Sequence, residues 1–184
     1  SKTIYIASAD KNFQTEDGLT ISLGSGTLES QYLVYTPGQL DDIRNRIMNV
    51  VEFREAYVDS EGNYTGTAED LKSCQRFFKQ LRDIDLKDYI AEKYTDTGWI
   101  PIGDYVLDIG QTSLYGVYDG NNRNINNLKI TGISAEQYCC GLFGSSLGLI
   151  KNIKLNDCIL DISTAECPAQ IGLGGLSGIS MNIY

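Results

Sequence analysis

The sequence contains no histidine among its 184 residues. Histidine supplies the general base of Ser-His-Asp and Cys-His sites, the ligands of HExxH zinc enzymes and the commonest acid–base group near neutral pH. Its absence excludes all of these arrangements. An enzyme built on this sequence would have to work with carboxylates, tyrosines or lysines.

The cysteines have neither the number nor the spacing of a disulfide framework or a set of metal ligands. Five cysteines make an odd number and include no CxxC pair, which argues against a complete disulfide framework and a zinc ribbon. The adjacent pair Cys139 and Cys140 suits small apolar packing on a strand. The segment DSEGN at 59–63 lacks the ligand spacing of an EF-hand, so we expect no metal and no cofactor.

Long apolar runs and an excess of basic residues are also missing. A membrane span needs about 18 consecutive apolar residues, and none is present. The opening SKTIYIASAD is unlike a signal peptide, so the chain is either not exported or has already lost its signal. A net charge of −9 argues against nucleic acid and against an anionic membrane surface as partners.

The N-terminal part of the chain predicts strands followed by a helix. The segments TIYIAS and QYLVYT alternate apolar with polar residues, as strands do. Thr36, Pro37 and Gln39 then form the start of a helix, with a capping box and proline in the first turn. Apolar residues at helical spacing extend this predicted helix over about 37–52: Leu40, Ile43, Ile47 and Val50.

Residues 54–68 are polar and are predicted to form a loop. A second helical pattern follows, with Thr67 and Asp70 as its cap, and periodicity alone carries it through Leu81. The frequency of glycine and asparagine rises from Trp99 onward, where the sequence predicts short strands separated by turns.

Two stretches of the C-terminal half share one pattern. GVYDGNNRNINNLKI begins at Gly116 and GLFGSSLGLIKNIKL at Gly141, and a third copy opens at Gly175 after a longer interval. This alignment predicts that Tyr118 stacks on Phe143, Ile125 on Ile150 and Asn127 on Asn152. The residues of the predicted structural repeat are Gly116, Tyr118, Asp119, Gly120, Ile125, Asn127, Gly141, Phe143, Gly144, Ile150, Asn152, Gly175 and Gly178.

Repeats of this length favour a mainly β fold, a right-handed parallel β-solenoid of three to four coils. Residues 1–75 would form an α+β capping segment with one or two helices and residues 76–184 the coils, together one structural domain. An antiparallel sandwich with two similar hairpins is the alternative.

The repeated segments resemble the GLUG repeat family of exported bacterial proteins. The residues that carry the resemblance are YGVYDGNNRNINNLKI, GLFGSSLGLIKNIKL, GGLSGIS and the lead-in DIDL with GWIPIG. The family forms a strand before DIDL, which implies that the second helix ends before Phe77. The resemblance also implies an extracellular or cell-surface location, a role in adhesion or recognition and no catalytic residues.

Three functions follow as expectations. The first is a non-catalytic binding module for a glycan or a host protein, in which Tyr32, Tyr35, Tyr115 and Tyr118 either stack on sugars or, as we prefer, fill strands. The second is a spacer or stalk without a ligand. The third is a carboxylate-dependent carbohydrate-active enzyme, for which the candidates are Asp83, Asp85, Asp104, Asp108 and Asp119. An open last coil would also allow self-association.

Overall fold

The computed structural model describes residues 12–14, 20–22, 24–103, 105–106, 110–131, 139–161 and 172–183. Within these ranges strands predominate and the helices are short. The α-helices are α1 Pro37–Asp42, α2 Val50–Tyr57, α3 Ala68–Ser73 and α4 Lys87–Lys93, and a 3-10 turn spans Ile43–Asn45. The strands are β1 Asn12–Gln14, β2 Thr20–Ser22, β3 Tyr32–Val34, β4 Met48–Asn49, β5 Arg76–Gln80, β6 Ile84–Asp85, β7 Tyr105–Val106, β8 Gly110–Ser113, β9 Gly116–Asn126, β10 Lys129–Ile130, β11 Cys139–Cys140, β12 Phe143–Asn156, β13 Ile159–Leu160, β14 Gly172–Leu173 and β15 Ser177–Ile183.

A parallel sheet forms the centre of the molecule. Its strand order is β15-β12-β9-β5-β3, with β6 beside the second half of β9, and every neighbouring pair is parallel. Two further parallel pairs, β10 with β13 and β11 with β14, connect the same successive segments. The mainly β, parallel character is therefore confirmed. The antiparallel sandwich is wrong for these segments.

The register between β9 and β12 differs from the one that the aligned motifs predict. Val117 lies opposite Leu149 rather than Leu142, and Ile125 lies opposite Leu155 rather than Ile150. Gly116 is therefore matched by Gly148 and not by Gly141. The three predicted pairs, Tyr118 with Phe143, Ile125 with Ile150 and Asn127 with Asn152, are therefore wrong as strand pairings. Sequence similarity alone does not show which of several glycines lies opposite Gly116.

Left-handed asparagines explain why the register changes along this pair of strands. The first segment turns through Asn121 and Asn122, with φ of 52° and 57°, whereas the second turns through Asn152 alone, with φ of 53°. The register shifts at this same point, between Lys151 and Ile153. Asparagine tolerates the left-handed region better than other residues with a side chain, so it suits these corners.

The third copy lies where the sequence predicts it. Phe143 pairs with Ser177, and the N–H of Leu142 donates to the carbonyl of Gly175. The predicted alignment of Gly141 with Gly175 is thus confirmed in register.

Aromatic and aliphatic side chains form columns in the core, one strand above the next. One column runs through Tyr32, Phe78, Tyr118 and Ile150, which are register partners in successive strands. Phe143 belongs to a different pairing, yet its ring contacts that of Tyr118 edge to face, with 5.2 Å between centroids. Both side chains are fully buried.

The helices of the N-terminal part are more numerous than predicted. The capping box of Thr36 and Gln39 is confirmed, but α1 is short and three α-helices, rather than one or two, lie between residues 37 and 73. The predicted helix over 37–52 is interrupted because Met48 and Asn49 pair antiparallel with Ser113 and Thr112 of β8. Helix α2 then extends through Tyr57, into the predicted loop.

The second predicted helix ends as the resemblance implied. Thr67 and Asp70 form a reciprocal capping box, α3 ends at Ser73 and β5 begins at Arg76. Strand β3 confirms the prediction for QYLVYT, whereas TIYIAS lies outside the described residues. In the part of the chain that the structure describes, no helix combines the length and apolarity needed to cross a bilayer.

Candidate functional site

A cleft of about 300 Å³ opens between α4, the loop that follows it and the edge formed by β10 and β13. Apolar side chains and polar groups both contribute to its walls. The lining residues that matter here are Lys87, Ala91, Tyr94, Asn127, Lys129 and Ile159.

Helix α4 forms one wall and is anchored at its start. Leu86 and Ile90 are buried one turn apart, which fixes the inner face of the helix. The N–H of Lys87 donates to Asp85 Oδ1 over 2.9 Å, so a carboxylate satisfies one of the free amides of the first turn. Lys87 and Ala91 consequently stay exposed on the side that lines the cleft.

The loop after α4 is joined to β10 by backbone hydrogen bonds. The N–H of Trp99 donates to the carbonyl of Lys129 over 2.6 Å, and that of Thr131 donates to Thr97 over 3.1 Å. Gly98 has φ of 67° and lies against the Lys129 backbone, where a Cβ atom would collide with the carbonyl. This wall of the cleft is therefore fixed by main-chain contacts.

Asn127 forms a corner that connects the cleft to the sheet. Its φ is 58°, its N–H donates to the carbonyl of Asn156 over 3.0 Å, and its Nδ2 donates to Asp85 Oδ1 over 2.8 Å. Asp157 occupies the equivalent corner of the next segment, with φ of 52°. One carboxylate, that of Asp85, thus joins the start of α4 to the corner.

A buried ionic cluster holds the hydroxyl of Tyr94. The Tyr94 hydroxyl donates to both oxygens of Asp41, at 2.9 and 2.8 Å. Asp41 also accepts from Tyr89 and forms ion pairs with Arg44 and Lys93. Burial raises the pKa of Asp41, but Arg44, Lys93 and the two tyrosine hydroxyls outweigh it, so the net pKa lies below its usual value.

These contacts give the Tyr94 side chain a fixed orientation. Burial and the nearby Asp41 charge raise the pKa of Tyr94, which keeps its hydroxyl protonated as a donor. The Tyr94 ring also packs edge to face with Trp99, at 6.2 Å between centroids.

The cleft is lined by both apolar and polar side chains, and we call the polar ones its rim. Ile159 remains 53% exposed although it is a large aliphatic residue, and Ala91 adds a second apolar contact from α4. Asn127, Thr131 and Asp157 supply an amide, a hydroxyl and a carboxylate. Ligand pockets typically join apolar contact with a few polar groups that fix orientation, and about 300 Å³ is at the small end of their range.

The three catalytic candidates that the structure describes, Asp83, Asp85 and Asp119, each accept a hydrogen bond from an asparagine side chain. Asp83 accepts from the N–H and Nδ2 of Asn124, and Asp119 accepts from Asn121 and Asn152. The hydrogen bonds from Asn124 lower the pKa of Asp83. For Asp119, burial raises the pKa but the bonds from Asn152 and Asn121 outweigh it. A general acid for glycoside hydrolysis needs a raised pKa, so these contacts support structural roles. Asp104 and Asp108 lie outside the described residues.

Three of the four tyrosines considered for sugar stacking, Tyr118, Tyr32 and Tyr35, make side-chain contacts within the fold. Tyr118 is fully buried. Tyr32 packs on Phe78 at 5.4 Å between centroids, and the guanidinium of Arg82 lies 4.6 Å from the ring centroid of Tyr35. Tyr115 is half-buried and lies outside the cleft beside α4.

The repeat residues lie on the central strands rather than in one site. Asn127 alone among them lines the cleft. Strand β9 contains Gly116, Tyr118, Asp119, Gly120 and Ile125, strand β12 contains Phe143, Gly144, Ile150 and Asn152, strand β15 contains Gly178, and Gly141 and Gly175 lie in turns.

The segment DSEGN is a hydrogen-bonded turn. Asp59 Oδ1 accepts from the N–H groups of Glu61 and Asn63, at 2.9 and 2.8 Å. Across the residues that the structure describes, no group of three or more potential ligands is placed to hold a metal ion.

Sequence reasoning missed α4 and, with it, one wall of the cleft. The apolar residues Leu86, Ile90 and Tyr94 recur every four positions, which is a helical signal over a short span. No sequence pattern indicated that Asp157 and Ile159 belong to the cleft, because only the pairing of β10 with β13 brings them close to α4.

Comparisons of the chain with family models, curated proteins and solved structures find no match. The resemblance to GLUG repeats therefore stays a prediction.

Proposed function

We propose that this chain is a non-catalytic recognition module that binds a glycan in the cleft beside α4. The observation that carries the proposal is the cleft itself, in which an exposed Ile159 and the Tyr94 wall meet polar groups on a rim fixed by the backbone. Sugars present both an apolar ring face and hydroxyl groups, so they suit such a mixed lining.

The architecture proposed for this module is a stack of right-handed coils of GLUG type. Parallel pairing of β9 with β12, of β10 with β13 and of β11 with β14 supports it, since consecutive segments lie side by side on each of these stretches. Left-handed corners at Asn127 and Asp157 recur at equivalent points of consecutive segments and support it further. A place on the bacterial surface or in the secreted fraction belongs to the same proposal.

A glycan array tests the proposal with two matched tryptophan variants. Ala91→Trp places a large ring in the cleft, whereas Glu92→Trp adds the same ring to an exposed position of α4 outside the lining. We expect the wild type and Glu92→Trp to bind the same glycans and Ala91→Trp to lose about tenfold or more in affinity. Circular dichroism checks that both variants fold.

Two results would contradict the proposal. Equal binding by Ala91→Trp would place the glycan elsewhere on the molecule. An array without any bound glycan would remove the proposal and leave the spacer without a ligand as the better account.

Self-association through the last coil also stays a proposal. Strand β15 is the outer strand of the described sheet, and outer strands offer N–H and C=O groups to another chain. Light scattering over a range of protein concentrations tests it: a mass that rises towards twice 20.3 kDa supports the proposal, and a constant monomer mass contradicts it.

A further inference from the structure

Two cations of the cleft lie outside every ion pair found among the described residues. Ion pairs join Arg44 and Lys93 to Asp41, and others involve Arg46, Lys72 and Lys151. Lys87 and Lys129 take part in none of these pairs. Both are exposed, and both line the cleft beside α4.

This local charge has the opposite sign to that of the whole chain. The net charge is −9, yet among the described residues that line the cleft two are cationic, Lys87 and Lys129, and one is acidic, Asp157. A neutral ligand could only accept hydrogen bonds from the two ammonium groups, without forming an ion pair. An anionic group on the ligand would pair with them and would avoid the acidic remainder of the surface.

We propose that the sugar held in the cleft carries a carboxylate, as uronic and sialic acids do; this inference rests on the glycan binding proposed above. The anionic group pairs with Lys87 and Lys129 at the rim. The sugar ring lies against Ile159 and Ala91, and its hydroxyls reach Asn127 and Thr131. An opening of about 300 Å³ suits one or two sugar residues.

Titration calorimetry with matched ligands tests the carboxylate requirement. The probes are 3′-sialyllactose against lactose, and trigalacturonate against its methyl ester, which keeps the sugars and removes the charge. We expect at least one acidic probe to bind, its neutral counterpart to bind at least tenfold more weakly, and affinity to fall when salt rises from about 0.15 to about 1 M.

Charge variants of the rim connect the result to the named residues. Lys87→Gln and Lys129→Gln should each weaken binding of the acidic probe by about fivefold, and together by about twenty-five-fold. Asp157→Asn should strengthen it by about twofold, since a like charge is removed while asparagine still accepts the left-handed corner. Lys79→Gln, outside the cleft, is the control and should leave the affinity unchanged.

The outcomes separate this inference from the function on which it rests. Equal binding of acidic and neutral probes, with both blocked by Ala91→Trp, would overturn the carboxylate requirement and leave the glycan-binding function standing. The inference would also be overturned if neither lysine variant changed the affinity, or if neither acidic probe bound to the chain. A blank glycan array would remove the function as well.

Discussion

The hydroxyl of Tyr118 lies 3.0 Å from Gln80 Oε1, and both side chains are fully buried. Gln80 Nε2 in turn donates to the carbonyls of Arg82 and Asn124, at 2.8 and 2.9 Å. Tyr118 is on β9 and Gln80 on β5, so this contact connects the two strands through the core as well as along their backbones. Every polar atom of the Gln80 amide has a partner, as buried polar groups require.

Removing the Tyr118 hydroxyl leaves Gln80 Oε1 buried without its partner. We expect Tyr118→Phe to lower the free energy of unfolding by about 1–3 kcal/mol, measured by urea denaturation. Tyr32→Phe is the matched control, since Tyr32 is register-paired with Phe78 in the same column but is only half-buried, and should cost less. Equal stability of Tyr118→Phe and the wild type would contradict the role given to this hydrogen bond.

The Asp41 cluster makes the stability of the fold depend on acidic pH. The pKa of Asp41 is lower in the folded chain than in the unfolded one, so its stabilising contribution is complete above the unfolded value of about 3.9. That contribution is lost as the pH falls through the folded pKa. We expect the free energy of unfolding, measured between pH 7 and pH 2, to decline below about pH 4, and we expect Asp41→Asn to reduce that decline.

The same substitution has a cost at neutral pH. Asp41→Asn leaves Arg44 and Lys93 without their shared carboxylate, and we expect a loss of about 2–3 kcal/mol, at the low end for buried pairs because Lys93 is half-exposed. Asp96→Asn, at an exposed position, serves as the control for loss of a carboxylate. A pH profile of Asp41→Asn that parallels the wild type would contradict this account of the cluster.

The left-handed corner at Asn152 gives a backbone test. Asn152→Ala and Asn152→Gly both remove the amide that donates to Asp119, but only glycine is unstrained at φ of 53°. We expect the alanine variant to be about 1 kcal/mol less stable than the glycine variant in thermal unfolding. At Asn124, which is in β9 and outside the left-handed residues, the order should reverse, with glycine the less stable. The same order at both positions would contradict the corner geometry.

The opposition of Gly116 and Gly148 tests the register of β9 and β12. A Cβ atom at Gly148 would meet the Gly116 backbone N at 2.6 Å, closer than real Cβ contacts come. We expect Gly148→Ala to cost about 1–3 kcal/mol in thermal or urea unfolding, because backbone atoms cannot move aside as a flexible side chain can. Gly62→Ala is the matched control: its Cβ atom would meet open space, but φ is 87°, so its loss reports backbone strain without a clash. A smaller loss at Gly148 than at Gly62 would contradict the register.

Features set by neighbouring residues were predicted from the sequence better than features set by strand pairing. The capping box at Thr36 and the helix cap at Thr67 were predicted correctly, because a cap involves only a few consecutive residues. The parallel sheet also followed from repetition. The break at Met48 did not, since it depends on pairing with the distant Ser113. Tertiary pairing overrides local periodicity in such places.

The site was less predictable than the fold, for the same reason. The cleft brings together α4, the corner at Asn127 and the edge at Ile159, which are far apart in the sequence. The predicted alignment of Gly116 with Gly141 could not reveal the cleft. In the structure Lys129 pairs with Ile159, and that alignment does not place these two residues side by side.

An NMR titration of the ¹⁵N-labelled chain with 3′-sialyllactose and trigalacturonate tests the central claim most directly, because amide shifts locate the ligand residue by residue. We predict that amide shifts concentrate at Ala91, Asn127 and Thr131, around the cleft, and are absent from Ala91→Trp. Shifts gathered instead around Tyr64, in its aromatic cluster with Phe53, or no shifts at millimolar ligand, would contradict it.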